Sequence, residues 1–362
     1  MIAFILQSDW VALGGRIAKR LIDAGHEVCV FIKNGQQVAE GDLPDKGQLP
    51  HEVSIVSTLP AAIKEAQVIM TLLNTPQEVE DTYLGNGGIF EHTPTDSLFI
   101  DLSTSNPRLA RELNALATVH DHGFVEAPLV YTADSYAAGT FDVYAASEKD
   151  DIKRALPILR TIASEVHEVG LPGSGSTLKL ASQIGLAGTL LGVIEAVVFA
   201  MQDGIANEAI LHMLKTSPAA SATAQAFGKR IMDEDFYYGV PLQQFFFDLS
   251  AALDAADELT LALPGLETAH QLYDLMVLVG GAKKGIHALA LIYRDEAYCT
   301  QHGLNWELAQ QAMDVYEGSN EDVYDEEYYD EDCEDCDDPN CGYHSAYRGD
   351  GPPQMNRYFS SN

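Results

Sequence analysis

The stretch from Gly170 to Gln183, GLPGSGSTLKLASQ, constrains this chain more than any other. Gly170, Gly173 and Gly175 form a turn that runs straight into an apolar helical pattern: Leu178, Leu180, Ile184, Leu186, Leu190, Leu191 and Ile194. Without Cβ atoms, the glycines let the backbone pass close to a neighbour. The pattern predicts a helix of unusual length with Lys179 about one turn inside it. A lysine on such a helix can snorkel, laying its stem on apolar surface and carrying its charge to water. It can instead be desolvated where it exchanges a proton with a substrate oxygen. The residues alone leave both readings open.

The chain before this turn alternates strand and helix signals. Ile2–Leu6 reads as a first strand, residues 13–24 as a helix stopped by Gly25, and Val28–Ile32 as a second strand. Glycine just past a helix end is a usual stop. Further strands are expected at 53–56, 68–73, 98–102, 124–127, 143–146 and 165–169, with helices at 60–66 and 78–83 between them. This βαβ alternation predicts a dinucleotide-binding, doubly wound α/β domain. Residues from about 170 to 295 read as all-helical, and 305–316 as one more helix. The expected division is residues 1–168, 169–317 and an acidic, disordered tail over 318–362.

A chain of 362 residues with 46% hydrophobic content is long enough for two domains with sizeable cores. The net charge of −33 argues against a nucleic-acid partner, which needs clustered Lys and Arg. Five cysteines are too few for a disulfide scaffold of this size. Three of them fall in the tail as Cys333-x2-Cys336-x4-Cys341-x2-His344, a spacing that suits tetrahedral zinc; the alternative is an unstructured tail with incidental thiols. Fourteen acids between Glu317 and Asp350 make that tail low in complexity and poor in aliphatics. The apolar stretch nearest to membrane-spanning length, 186–201, is interrupted by Glu195. The N-terminus lacks a basic region and a cleavage site, so the expected location is cytoplasmic.

Gly-x-Gly-x-x-x-Lys at the head of a long helix after an α/β domain resembles the β-hydroxyacid dehydrogenase family, relatives of 3-hydroxyisobutyrate and 6-phosphogluconate dehydrogenases. Asp101-Leu102-Ser103-Thr104 and Ala138-Gly139-Thr140 carry the same resemblance. It implies that Lys179 is the catalytic acid/base and that Gln183, where the family has Asn, reaches the same substrate. It further implies cofactor contacts at Gly14, as the third glycine of the phosphate turn, and at Lys33, Leu73, Asn74 and Thr104. Lys33 favours a 2′-phosphate and hence NADP over NAD; the competing reading is a solvated lysine at a strand end.

Three binding elements differ from the family. Only Gly14 remains of the glycine fingerprint, Asp9 falls near the pyrophosphate position, and the turn reads as a few residues longer than usual. Val130-Tyr131-Thr132 replaces Ser-Gly-Gly, leaving Tyr131 and Thr132 as candidate substrate donors. Phe247 replaces a lysine beside Asp248. The expected function is an NAD(P)-dependent oxidoreductase that interconverts a hydroxyl and a carbonyl on a small substrate. The alternative is a catalytically silent relative that acts as a binding or scaffold protein through its acidic tail. The resemblance also implies a homodimer, while His287 reads as structural.

Overall fold

Apolar, β-branched runs in the first half of the chain form nine strands, and the segments between them form the covering helices. The computed structural model describes residues 1–33 and 49–311. In chain order the N-terminal elements are β1 (Ile2–Gln7), a 3-10 turn (Ser8–Trp10), α1 (Val11–Asp23), β2 (Val28–Lys33), β3 (Ser54–Val56), α2 (Leu59–Ile63) and β4 (Val68–Leu72). They continue with α3 (Pro76–Leu84), α4 (Ile89–His92), β5 (Leu98–Asp101), α5 (Pro107–Val119), β6 (Gly123–Glu126) and β7 (Leu129–Val130). The sheet is completed by α6 (Ala133–Ala138), β8 (Asp142–Ala146), α7 (Lys149–Ile162) and β9 (Val166–Gly170). Strands run in the order β3-β2-β1-β4-β5-β6-β8-β7, with β9 paired to β8. Neighbours from β3 to β6 are parallel, and β8 runs antiparallel to β6 and β7.

Both sheet faces are covered, so the strands read as continuous apolar runs rather than alternating ones. Ile2, Phe4 and Leu6 of β1 join a core completed by Leu13, Ile17 and Leu21 of α1 and Ala155 and Leu159 of α7. Ala3 and Ile5 face the other way, into a core with Ile63 of α2, Tyr83 of α3 and Leu113 of α5. The helix after β1 begins at Val11, two residues before the position read from sequence, and the turn ahead of it is only three residues long. Pro76 at the start of α3 and Pro107 at the start of α5 open their helices, where proline's missing N–H costs nothing.

The second half is helical: α8 (Ser174–Gln202), α9 (Asn207–Thr216), α10 (Ala222–Met232), α11 (Leu242–Glu258), α12 (Pro264–Met276) and α13 (Glu296–Gln301). α8 is long and apolar enough, by length and composition, to cross a membrane. Yet Leu180, Ala187, Leu190, Ile194 and Val197 recur at helical spacing and pack into the helical core. That one-sided burial is the behaviour of a core helix. Met1–Gln310 forms one compact unit. The region expected to be an acidic tail, with its zinc-spaced Cys333, Cys336, Cys341 and His344, lies outside the described residues.

The junction between sheet and helices is built on Glu126, the last residue of β6. Its carboxylate accepts hydrogen bonds from the backbone N–H groups of Gly173, Gly175 and Ser176 and from the Ser176 hydroxyl. The first N–H groups of a helix lack intrahelical partners, and an anion there is favoured by the helix dipole. The glycines serve this contact. A Cβ on Gly175 would lie 2.5 Å from the Tyr144 carbonyl oxygen, and Gly173 has a φ of 96° with Arg111 and the Pro107 carbonyl against it. The turn therefore approaches the protein's own strands. Burial raises the Glu126 pKa, opposed by these same hydrogen bonds. Glu126→Gln should lower stability by about 2–4 kcal/mol in urea denaturation, because an amide turns one N–H face toward donors. An unchanged midpoint would show that α8 is held by apolar packing alone.

Candidate active site

In doubly wound sheets, ligands bind outside the carboxyl ends of the strands where strand order reverses. Here that point lies between β1 and β4, where the order β3-β2-β1 gives way to β4-β5-β6. Gly14, buried in α1, packs on β1: a Cβ there would lie 3.0 Å from Leu6 Cδ2. This is the close helix–strand contact a third glycine provides. Gln7 Oε1 and Trp10 Nε1, on either side of the turn, are buried and have no hydrogen-bond partner among the described residues. Asp9 accepts from Asn74 Nδ2 at 2.9 Å, and Asn74 Oδ1 accepts from Gln244 Nε2 of α11 at 3.0 Å.

Leu73 and Asn74 leave β4 alongside Ser103, whose hydroxyl accepts from the Leu73 N–H at 2.9 Å. Ser103 is held in turn by Asp101, which accepts from the Ser103 N–H and from the Thr71 hydroxyl. Asp101 is fully enclosed, and burial pushes its pKa up to about 6 against the pull of those hydrogen bonds. Thr104 follows, partly exposed. At the end of β2, the Lys33 ammonium donates to the Thr82 hydroxyl of α3 at 2.8 Å.

Lys179 and Gln183, four residues apart, share the buried face of α8. Lys179 is 2% exposed, so its ammonium does not reach water in the manner of a snorkelling side chain. Nζ lies 3.4 Å from Asp248 Oδ2 of α11 and 4.6 Å from the centre of the Tyr131 ring. Gln183 Nε2 donates to the same Asp248 oxygen. Burial, with the Asp248 carboxylate second, raises the Tyr131 phenol well above its ordinary range. The Tyr131 ring lies 5.3 Å from that of Tyr136, whose own pKa is raised by burial, lowered by Arg16 and raised by Asp9. The aromatic pair thus extends from Lys179 toward the turn after β1. Thr132 caps α6 in a reciprocal pair with Ser135 and is exposed. A cleft of about 410 Å³ runs between the starts of α3 and α5 and one face of α11, lined by Thr75, Asn106, Arg108, Phe247, Ser250 and Asp254.

The structure thus brings Lys179, Gln183 and Tyr131 together, and it sets Gly14, Leu73 and Asn74 around the β1/β4 crevice. Lys33 and Thr132 are engaged elsewhere in the fold. Two functional acids escaped the sequence reading. Asp248 entered there only as the neighbour of Phe247; its signal is a lone acid four residues after Gln244 in the apolar run of α11. Glu126 is likewise a lone acid in an otherwise apolar strand. His287 is fully buried, donates from Nε2 to the Asp235 carbonyl and stacks on Phe227, a packing role. Among the described residues no group of three or more His, Cys, Asp or Glu could hold a metal ion.

Comparison with known proteins matches this arrangement. The NAD binding domain of 6-phosphogluconate dehydrogenase matches residues 11–170, and the NAD-binding domain of NADP-dependent 3-hydroxyisobutyrate dehydrogenase matches residues 173–293. An uncharacterized oxidoreductase, YkwC, of Bacillus subtilis is 28% identical over 277 residues, 76% of this chain and 94% of that protein. A probable mitochondrial 3-hydroxyisobutyrate dehydrogenase-like protein of Arabidopsis thaliana is 28% identical over 286 residues, covering 78% and 83% respectively. Among solved structures, 3-hydroxyisobutyrate dehydrogenase of Mycobacterium tuberculosis with L-serine shares the fold at a TM-score of 0.68 and 22% identity, over 81% of this chain and 99% of that one.

The buried Asp101 gives the crevice a pH-dependent stability. Its folded pKa of about 6 lies above the ordinary aspartate value of 3.8, so the folded state binds the proton more tightly. The stabilising contribution is complete below the unfolded pKa and is lost as pH rises through 6. Asp101→Asn removes this titration while keeping an acceptor for Thr71. The variant should gain about 2–3 kcal/mol on the wild type between pH 4 and pH 8 in denaturant titrations. A stability difference that does not vary with pH would refute it.

Proposed function

The chain belongs to the β-hydroxyacid dehydrogenase family of NAD(P)-dependent oxidoreductases, and we propose that it interconverts a hydroxyl and a carbonyl on a small substrate with Lys179 as the proton-transferring group. The observation that carries this reading is the enclosure of the Lys179 ammonium, 3.4 Å from Asp248 and over the face of Tyr131, on the inward face of α8. A nicotinamide, when bound, supplies or accepts the hydride. The residues present suit such a group. The first N–H groups of the 3-10 turn leading into α1 suit a phosphate, and Trp10 Nε1 is a buried donor without a partner among the described residues at the same turn. Asn74 and Thr104 would flank the ribose side, and Lys33 would meet a 2′-phosphate by giving up its bond to Thr82.

In the reducing direction Lys179 donates a proton to the carbonyl oxygen as negative charge develops there, and it recovers one from solvent afterwards. Asp248 holds the ammonium as an ion pair and accepts from Gln183, so the lysine stem has one orientation. Tyr131 closes the other side and excludes water, which strengthens each of these interactions. Phe247 brings no charge to the cleft, where Arg108 is already paired with Glu258 and Glu112. The substrate is accordingly less anionic and more apolar than a short hydroxy acid.

A panel of short hydroxy acids, alcohols and diols, assayed with NADP+ and NAD+, tests the reading. Lys179→Ala should lower turnover by roughly 10²–10⁴-fold on any substrate found while the dinucleotide Kd is kept. Phe247→Lys should move preference toward carboxylate-bearing substrates. Turnover intact in Lys179→Ala would sink the mechanism, and failure to bind either dinucleotide below millimolar would favour a binding protein of the same fold. We also infer a homodimer, since the outward face of α8 exposes Leu178 and Phe199 at 43% and 78%, separated by glycines. Light scattering should give twice the chain mass, and a monomer at micromolar concentration would remove the inference.

A further inference from the structure

The turn after β1 carries a carboxylate where an incoming diphosphate has to lie, and that carboxylate is not idle. Asp9 Oδ2 accepts from Asn74 Nδ2 at 2.9 Å, and Asn74 Oδ1 accepts from Gln244 Nε2 at 3.0 Å. The backbone N–H of Asn74 donates to Glu78 Oε2 at 2.9 Å. Asn74 and Gln244 are each 7% exposed, so this bridge is largely out of water. It joins the end of β1, the end of β4 and helix α11, spanning the point where strand order reverses. Both ends of the Asn74 amide are engaged, which fixes its orientation. Asp9 itself is exposed and forms no ion pair among the described residues.

We propose that Asp9 sets the affinity of this crevice for diphosphate-bearing ligands. It does so as an anionic latch, holding Asn74, and through Asn74 the helix α11, across the mouth of the crevice. The proposal rests on the reading that the crevice takes a nicotinamide dinucleotide. Two costs follow from the geometry. A diphosphate at the head of α1 meets the Asp9 charge at short range, and at an exposed site this repulsion is screened by salt. The ligand must also draw the Asn74 amide away from Asp9, which loosens its hold on Gln244. The first cost depends on charge and ionic strength; the second depends on hydrogen bonds and does not.

The two costs can be separated by substitution. In Asp9→Asn the new side-chain oxygen still accepts from Asn74, so the bridge remains and only the charge is lost. In Asp9→Gly both are lost. In Gln244→Ala the charge stays and the link to α11 is cut. The readout is equilibrium binding of NADP+ and of ADP-ribose, which carries the diphosphate without a nicotinamide. It is followed by the fluorescence of Trp10 beside the turn and by calorimetry, with circular dichroism to confirm folding.

Asp9→Asn should bind both ligands about tenfold more tightly at low salt, as expected for removing one nearby like charge. That gain should shrink at high salt. Asp9→Gly should bind at least as tightly as Asp9→Asn. Gln244→Ala should tighten binding by a smaller factor that does not change with salt. Unchanged or weaker binding in both Asp9 variants overturns the proposal, as does the lack of measurable binding in either. A variant that binds NADP+ tightly yet turns over no hydroxyl or carbonyl substrate would instead remove the reaction proposed above and leave the role of Asp9 standing.

Discussion

The placement of Lys179 depends on one buried carboxylate meeting the free end of one helix. Glu126 ends β6 and takes the N–H groups of Gly173, Gly175 and Ser176. A carboxylate removed from water is costly unless its oxygens are fully used. Here they are used by the donors that a helix start leaves unpaired. The direction of α8 is thereby tied to the edge of the parallel sheet. Lys179 follows three residues after Ser176, close enough to the anchor that any tilt of the helix end would move its ammonium. Loss of this contact would displace the lysine from Asp248 without touching either residue.

Much of the fold was legible because the local signals agreed with one another. The apolar runs of the parallel strands, the prolines that open α3 and α5, and the glycine past α1 all pointed to the same layered architecture. The site was legible where chemistry depends on spacing along one helix. Lys179 and Gln183 lie four residues apart, and that spacing alone places them on one face. What escaped was of two kinds. Asp248 and Glu126 act across more than forty residues of sequence, and no local pattern announces a partner at that distance. The glycine turn before α8 shows a limit of another kind: glycine reports a close approach but not what approaches, and here it is Arg111 and Pro107 of α5, the Tyr144 carbonyl and the Glu126 side chain.

The three substitutions in the binding elements acquire a common meaning from the geometry. Asp9 stands in the turn after β1, Tyr131 against the Lys179 ammonium and Phe247 next to Asp248. Tyr131 places a ring on the Lys179 ammonium, where a bare glycine backbone could offer only N–H donors. A ring face attracts a cation and repels an anion, so the same change that steadies the lysine makes the pocket less hospitable to a carboxylate. Phe247 acts in the same direction by withholding a positive charge. Both changes work against the binding of an acid and leave the ion pair of Lys179 and Asp248 intact.

Asp9 belongs to this pattern through a different route. It lies near Tyr136, which stacks toward Tyr131, so the turn after β1 and the lysine pocket are linked by two aromatic side chains as well as by the Asn74 bridge. A ligand that enters the crevice therefore meets one connected set of contacts and not two separate sites. Because Asn74 donates to Asp9 and accepts from Gln244, any displacement at the turn is felt on α11, the helix that also carries Asp248 one turn further on. The carboxylate that orients Lys179 and the amide that spans the crevice sit four residues apart on that helix. Occupancy of the crevice and orientation of the lysine are then coupled through a rigid element, with no need for a moving loop.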